Sequence, residues 1–372
     1  MVGVWYTLLR PSGFSLSKFL LEKVIVLGLG AFISYKLIYF TSLASFRQRW
    51  YELFLVLHVV LQILALIFLW FHHSGSRVYA AIALVIFLVD RLIYRCGFKS
   101  ISVRANIVVM EDGETVKLST HVLKRPQPNI SKVIGRPIKD GWEATDHVFV
   151  LIPSLSRTNF VQAHPFTIAS AAPPHGIDET RLDLLIRAQD GFSRDLLKKA
   201  RHLEHCSHGA QHPIDVRLDG PYGSDHARHV LEYSDLALVV AGGSGIAVAW
   251  PLIHVLEISR STDTEIAPTK ELRRQKIALI WVVHQKSHIE WIGRKALAEV
   301  ENMGVEIIIP QPTEETGRPD LAVLIQGMVE NFSDKKMGVV TSGPGSMGRL
   351  VKNTCASLVR DGYDINVTVE KF

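Results

Sequence analysis

Apolar and polar positions along the chain fall into three successive textures. Over the first hundred residues the apolar positions are nearly continuous, and a bilayer span needs about 20 of them. Three stretches meet that need in outline. The first runs from about Phe19 to Phe40, interrupted by Glu22, Lys23 and Lys36; the second is "ELFLVLHVVLQILALIFLWFHH"; the third, shorter, is "YAAIALVIFLVDRLIY". Cations between the stretches set a direction. Arg47 and Arg49 lie between the first two and Arg91, Arg95 and Lys99 follow the third, whereas "HHSGSR" holds only Arg77. An excess of cations on the cytoplasmic side places both clusters, and everything after residue 96, in the cytosol. Residues 1–17 lack the basic start and small-residue cleavage site of a signal peptide.

From Ile101 the period shortens to two. "ISVRANIVVM" and "TVKLSTHVLKR" alternate as strands around the turn "EDGE", and "HVFVLIPSL", "FTIAS", "RLDLLIRA" and "IDVRLDGPYG" continue the pattern. Short strands separated by Gly/Pro turns predict a small antiparallel β-barrel. After about Tyr233 the strands become compact and wholly apolar ("DLALVVAGG", "KIALIWVVH", "VEIIIP", "KMGVVTSGP"), with helix-length segments between them. That alternation predicts an α/β doubly wound parallel sheet. The fold class is thus an α-helical membrane segment of about three spans, then a barrel, then a nucleotide-binding α/β domain.

Composition adjusts this picture only slightly. Of the 372 residues 48% are hydrophobic, and the mean hydropathy is +0.18. A net charge of +5 and a pI of about 9.0 could suit nucleic acid, but no run of five Lys/Arg occurs. Membrane-flanking cations and sites for phosphorylated cofactors account for the excess better. Cys96, Cys206 and Cys355 have no paired spacing, which excludes a disulfide framework and a zinc site and favours a reducing compartment.

Chemistry enters with "VVAGGSGIAVAW", a buried strand, a glycine cluster and a helix start. Gly242, Gly243, Ser244, Gly245 and Ile246 would bring backbone close to a pyrophosphate, at a helix N-terminus whose N–H groups are free. The spacing is not GxGxxG, and a plain tight turn would use the same glycines. In the second span His58 and His72 stand 14 residues apart. That spacing amounts to about 21 Å along a helix, within about 40° of one face. Imidazoles in a membrane span are usually functional and are standard haem ligands. "AHPFTIAS" ends a strand with a proline, which removes a ladder donor at an edge. On residues alone it also reads as a strand end with a buried Phe.

Together "HPFT", "RAQDGFSRDL", "LDGPYG", the glycine cluster and "TSGPGSM" resemble, in order, the membrane ferric reductase and NADPH oxidase superfamily. The fungal ferric-chelate reductases, with a C-terminal half like ferredoxin–NADP reductase, are the nearest type. The resemblance implies a transmembrane segment over 1–97, an FAD-binding barrel over 98–228 and an NAD(P)H domain over 229–372. It puts His164, Pro165, Phe166 and Thr167 along FAD, and Gly191, Phe192 and Ser193 at the FAD pyrophosphate, with Asp190 where a glycine is usual. Gly343 and Pro344 bind NADPH; Ser342 replaces a cysteine beside the nicotinamide, and the terminal Phe372 covers the flavin. His284 stands where relatives carry an Arg for the ribose 2′-phosphate, with Lys286 and Arg318 as substitutes. His58 and His72 become ligands of haem b. Residues 1–57 contain no histidine, so the upstream partner ligands are missing and the chain reads as N-terminally truncated.

The implied activity is NADPH-dependent reduction of an external Fe(III) or Cu(II) chelate, by an integral protein of the plasma membrane, in contact with lipid and not with nucleic acid. Homo-oligomerisation stays open. Rival readings are a superoxide-producing oxidase, a non-catalytic remnant and a haem-free diaphorase.

Overall fold

The computed structural model describes residues 20–96, 100–123, 137–155, 163–173, 179–207, 213–266, 275–330, 332 and 335–370. They divide into two units, Met1–Cys96 and Gly97–Phe372.

The first unit is helical: α1 (Lys23–Ser42), the short α2 (Ala44–Arg49), α3 (Tyr51–His72) and α4 (Arg77–Cys96). Two helical stretches, Lys23–Ser42 and Leu53–His72, are long and apolar enough to cross a membrane. Helix α4 has 20 residues, but Arg77, Asp90, Arg91 and Arg95 interrupt its apolar run, so the third expected span is not among them. Polar residues within α1 satisfy themselves locally. The Ser34 hydroxyl donates to Gly30 O at 2.8 Å and Thr41 to Leu37 O at 2.9 Å, each returning to the carbonyl four residues back. The chain leaves α3 through a tight turn in which Ser76 Oγ donates to Leu69 O at 2.6 Å, capping one of the helix's orphan carbonyls.

The second unit holds two sheets. The first comprises β1 (Ser100–Val109), β2 (Thr115–Leu123), β3 (His147–Leu151), β4 (His164–Thr167), β5 (Glu179–Arg187) and β6 (Pro213–Tyr222). Their order is β4-β3-β6-β1-β2-β5, antiparallel throughout. The sheet curls until its outer strands meet at one bridge, Ile168 to Leu184, with Ala169 N–H donating to Asp183 O at 2.8 Å. Alternate residues (Leu118, Val148, Val150, Leu184, Ile186, Leu218) fill the inside at 1% exposure or less. Helix α5 (Phe192–Ser207) joins the same core through Phe192, Leu196 and Ala200.

The second sheet is parallel. Its strands are β7 (Leu236–Gly242), β8 (Lys276–Val282), β9 (Glu306–Ile308), β10 (Met337–Ser342) and β11 (Ile365–Glu370), ordered β11-β10-β7-β8-β9. A short helix α6 (His226–Glu232) enters it, and α7 (Ile246–Ile266) follows β7. Then come α8 (Arg294–Asn302), the single turn α9 (Thr313–Thr316), α10 (Leu321–Glu330) and α11 (Gly345–Arg360). Strand β7 shows why its sequence reads as an unbroken apolar run. Ala237, Val239 and Ala241 pack with α7 on one face, while Leu236, Leu238 and Val240 pack with α10 and α11 on the other. Strands β7 and β10 are neighbours although two strands intervene in sequence. The strand order therefore reverses between them, and in open α/β sheets ligands bind outside such a reversal, at the carboxyl ends of the strands.

Candidate functional site

At that reversal the two turns interlock. A Cβ at Gly245 would overlap the Ser342 carbonyl, so only glycine lets the turn after β7 pass under the turn after β10. Gly243 is the opposite case: its φ is +54° and a Cβ there would meet nothing within 4 Å. The backbone thus presents an open edge, held from below by Trp281, whose Nε1 donates to Gly243 O at 3.1 Å. A cavity of about 580 Å³ lies over this edge. Gly242, Gly243, Ser244, Gly343 and Pro344 line it, whereas Gly245 and Ile246 are buried beneath. Arg187 from β5, His284 just past β8, and Arg318 line it as well. His284 Nδ1 is 2.9 Å from Thr313 Oγ1, which fixes the ring. Lys286 is not in the wall; it opens the turn Lys286–Trp291. The open glycine edge, the start of α7 and this set of donors fit a dinucleotide pyrophosphate.

A second cavity, of about 740 Å³, lies where the curled sheet faces the start of α7 and the end of β11. Pro165, Phe166 and Thr167 from the edge strand β4 form one wall, and His147 and Tyr222 line it as well. Val248 and Glu370 close it from the parallel-sheet side. Burial pushes the His147 imidazole below its usual pKa, with Asp146 opposing; it also raises the Glu370 carboxyl, with His226 opposing. His164 stacks on Phe192, ring centroids 4.4 Å apart, and Phe166 lies 5.9 Å from the same ring. The "HPFT" and "DGFS" stretches are thereby joined through Phe192, the first residue of α5. Gly191 makes the turn at φ +57°, and Ser193 Oγ accepts from Gln189 N–H at 3.0 Å while donating to Asp190 O at 3.2 Å. Asp190 pairs with Arg194 at 3.0 Å. An aromatic wall, polar groups from Thr167, Tyr222 and His147, and a helix start one ring away fit a flavin dinucleotide.

Three family models match, in chain order: a ferric reductase like transmembrane component over residues 2–69, an FAD-binding domain over 114–226, and a ferric reductase NAD binding domain over 233–313. The chain is a homologue of the fungal ferric reductases. Ferric/cupric reductase transmembrane component 2 of Schizosaccharomyces pombe is 24% identical over 93% of this chain and 67% of its own length. Ferric reductase transmembrane component 3 of Saccharomyces cerevisiae is 30% identical over 60% of this chain and 28% of its own. The chain therefore spans only part of the length of such relatives. Among solved structures, a ferredoxin NADP+ reductase from Neisseria gonorrhoeae with bound FAD and NADP has a TM-score of 0.47 at 15% identity, covering 73% of this chain and 98% of that one.

In this ferric reductase homologue the remaining sequence candidates divide three ways. Ser342 is 1% exposed and its hydroxyl faces Glu370 O at 3.4 Å; it lines neither cavity. Phe372 lies outside the described residues. His58 and His72 share a face of α3, and both meet α1. His58 Nδ1 lies 3.5 Å from Ser42 Oγ, and His72 Nδ1 lies 2.6 Å from Val24 O. A carbonyl only accepts, so His72 donates from Nδ1 and turns Nε2 away from Val24. Its ring rests on Gly28, where a Cβ would come within 2.6 Å. Among the described residues no group of three His, Cys, Asp or Glu gathers that could hold a metal ion alone.

Arg187, Gln189, His147, Tyr222 and Glu370 were not predicted. Arg187 and Gln189 lie within "RAQDGFSRDL" and Tyr222 within "LDGPYG" without being singled out there, whereas His147 and Glu370 come from strands that carry no spacing signal.

Proposed function

We propose that the chain is a membrane metalloreductase passing electrons from NADPH, by way of FAD and haem b, to an external ferric or cupric chelate. The observation that supports this best is the adjacency, on one unit, of a glycine-edged cationic cavity and an aromatic-walled polar one. One segment links them: Arg187 and Gln189 line the first, and Phe192, three residues on, packs beside Phe166 of the second. A hydride donor held in the first would then lie toward an acceptor held in the second.

Bound FAD supplies the conversion of a hydride's electron pair into single electrons. The chain's part is to bind, orient and exclude water. Phe166 and Pro165 would shield a ring that Thr167 orients by hydrogen bonding, while the first turn of α5 offers N–H donors to the pyrophosphate. Glu370, its carboxyl pKa raised by burial, places a group able to hold a proton at the same wall. On the reductant side, Gly242, Gly243 and Ser244 would cradle the pyrophosphate with Gly343 and Pro344 opposite. In doubly wound folds a carboxylate beyond the second strand takes a ribose hydroxyl, and a cation takes its phosphate. Here His284 follows β8, Arg318 and Arg187 stand nearby, and no carboxylate lines the cavity among the described residues, which favours NADPH. Domain limits of 98–228 and 229–372, closure of the curled sheet into a barrel, a third span in α4, and His58 and His72 as haem b ligands at the plasma membrane complete the reading.

The test is NADPH-driven Fe(II) formation by the detergent-solubilised chain, with the product trapped by a ferrous chelator. Superoxide production without Fe(II) would reassign the acceptor to O₂; absence of both products would sink the reading.

A further inference from the structure

The tip of the β1–β2 hairpin belongs to the curled sheet by chain connectivity and to the parallel sheet by contact. Met110 packs against the core formed by β7, β8 and α7. The Asp112 carboxylate, with a side chain 1% exposed, lies 3.7 Å from Nε2 of His288, 2% exposed, in the turn Lys286–Trp291. His288 stacks on Trp291 at 4.2 Å, and neither His288 Nδ1 nor Trp291 Nε1 has a hydrogen-bond partner among the described residues. Asp112 does not need this histidine to satisfy itself. It already accepts from Glu114 N at 3.3 Å, Thr115 N at 3.1 Å and Thr115 Oγ1 at 2.7 Å, all within its own turn.

A buried charge facing a histidine is a poor way to gain stability, since apolar residues of similar volume usually do as well or better. What such a pair can supply is a fixed docking geometry. The same tip is gripped from the flavin side. Arg201 of α5 donates to Gly113 O at 2.7 Å, and Glu204 of α5 accepts from Val109 N at 2.8 Å. It also holds the end of β5, which reaches the reductant cavity: Glu114 pairs with Arg187 at 3.1 Å and its carbonyl accepts from Ala188 N at 2.8 Å. Arg187 and Gln189 line the 580 Å³ cavity.

We propose that this tip is a latch between the two sheets, in which Asp112 and His288 are positioning residues that set the reductant cavity by way of Glu114 and Arg187. The inference rests on the reading of that cavity as the NADPH site. None of the three latch residues lines either cavity, so their effect on the nucleotide must travel through Arg187 and the register of the two sheets.

The experiment uses the full chain in detergent, loaded with FAD. NADP+ affinity and the rate of flavin reduction at saturating NADPH are measured for wild type, Asp112→Asn, His288→Gln, the double variant and Glu114→Ala. Each single variant is expected to weaken NADP+ binding by about 5-fold or more with FAD occupancy unchanged, the double variant being no worse than the worse single one. Flavin reduction at saturation should slow as well. Glu114 has a side chain 63% exposed, so Glu114→Ala decides the matter even where the buried variants fail to fold. Were Glu114 merely neutralising Arg187, its removal would tighten NADP+ binding, and that result overturns the latch. Wild-type affinity in folded Asp112→Asn and Glu114→Ala also overturns it, while leaving the NADPH reading intact. A wild-type chain without NADP+ affinity overturns both.

Discussion

Gly245 is the residue on which the reductant cavity turns, because its missing Cβ lets two strand ends cross. Gly245→Ala is expected to push the β7 and β10 turns apart at an overpacking cost of about 1–3 kcal/mol. Calorimetry should show a lowered Tm together with loss of NADP+ binding, while FAD content persists. The His284 imidazole lacks the planar bidentate fork of a guanidinium, so discrimination by kcat/KM between NADPH and NADH should stay below about 1000-fold, or roughly 4 kcal/mol. His284→Arg should raise it. His288 gives a pH dependence. Burial is the largest influence on it and lowers its pKa; Arg187 and His284 act the same way, while Asp112 and Glu114 oppose. A depressed histidine pKa means the unfolded chain binds the proton more tightly. Its contribution to stability is therefore complete above an unfolded value of about 6.5 and is lost as pH falls toward the folded one. NADP+ affinity and Tm should both drop as pH falls below about 6.5, and His288→Gln should flatten that part of the profile.

Among elements, those with a single strong period were legible in the sequence. Strands β7, β8 and β10 are apolar on both faces and bounded by glycine or a charged turn, so position and type followed directly. Strand β11 was missed. Its sequence "INVTVE" mixes polar and apolar residues at a sheet edge beside one neighbour, and close to the chain end it reads as a tail. Helix α4 is less legible: its apolar content suggests a span, but Arg77, Asp90, Arg91 and Arg95 interrupt the run, and it is not among the helices apolar enough to cross a membrane. The pair α1 and α3 carries a prediction of its own. Their packing lodges the His72 ring over Gly28, so Gly28→Val should force the imidazole away, with loss of the Val24 hydrogen bond. On the proposed reading, in which His58 and His72 are the haem ligands that the described residues of this unit supply, haem b per flavin in the purified chain should be well below one. Gly28→Val and His72→Ala should each lower it further, as read from the low-spin haem absorbance. Stoichiometric haem would mean that opposite ligands come from a second copy.

At the scale of the whole molecule, the order of textures was enough to anticipate a helical part, an antiparallel sheet and a parallel sheet. The motifs "HPFT" and "DGFS" were visible one by one, but their meeting on the Phe192 ring was not, because no local pattern records which distant turns a core aromatic will join. The same holds for the latch: "EDGE" reads as a hairpin turn and nothing in it points to His288. The central claim is that one unit holds FAD beside a bound NADPH. Its most direct measurement is the visible spectrum of the full chain, purified in detergent with FAD and then mixed with NADPH in the absence of oxygen. The expected result is a flavin absorbance that stays with the protein through purification and bleaches on addition of NADPH. A folded protein that remains colourless with FAD supplied, or whose flavin stays oxidised under excess NADPH, would contradict the claim.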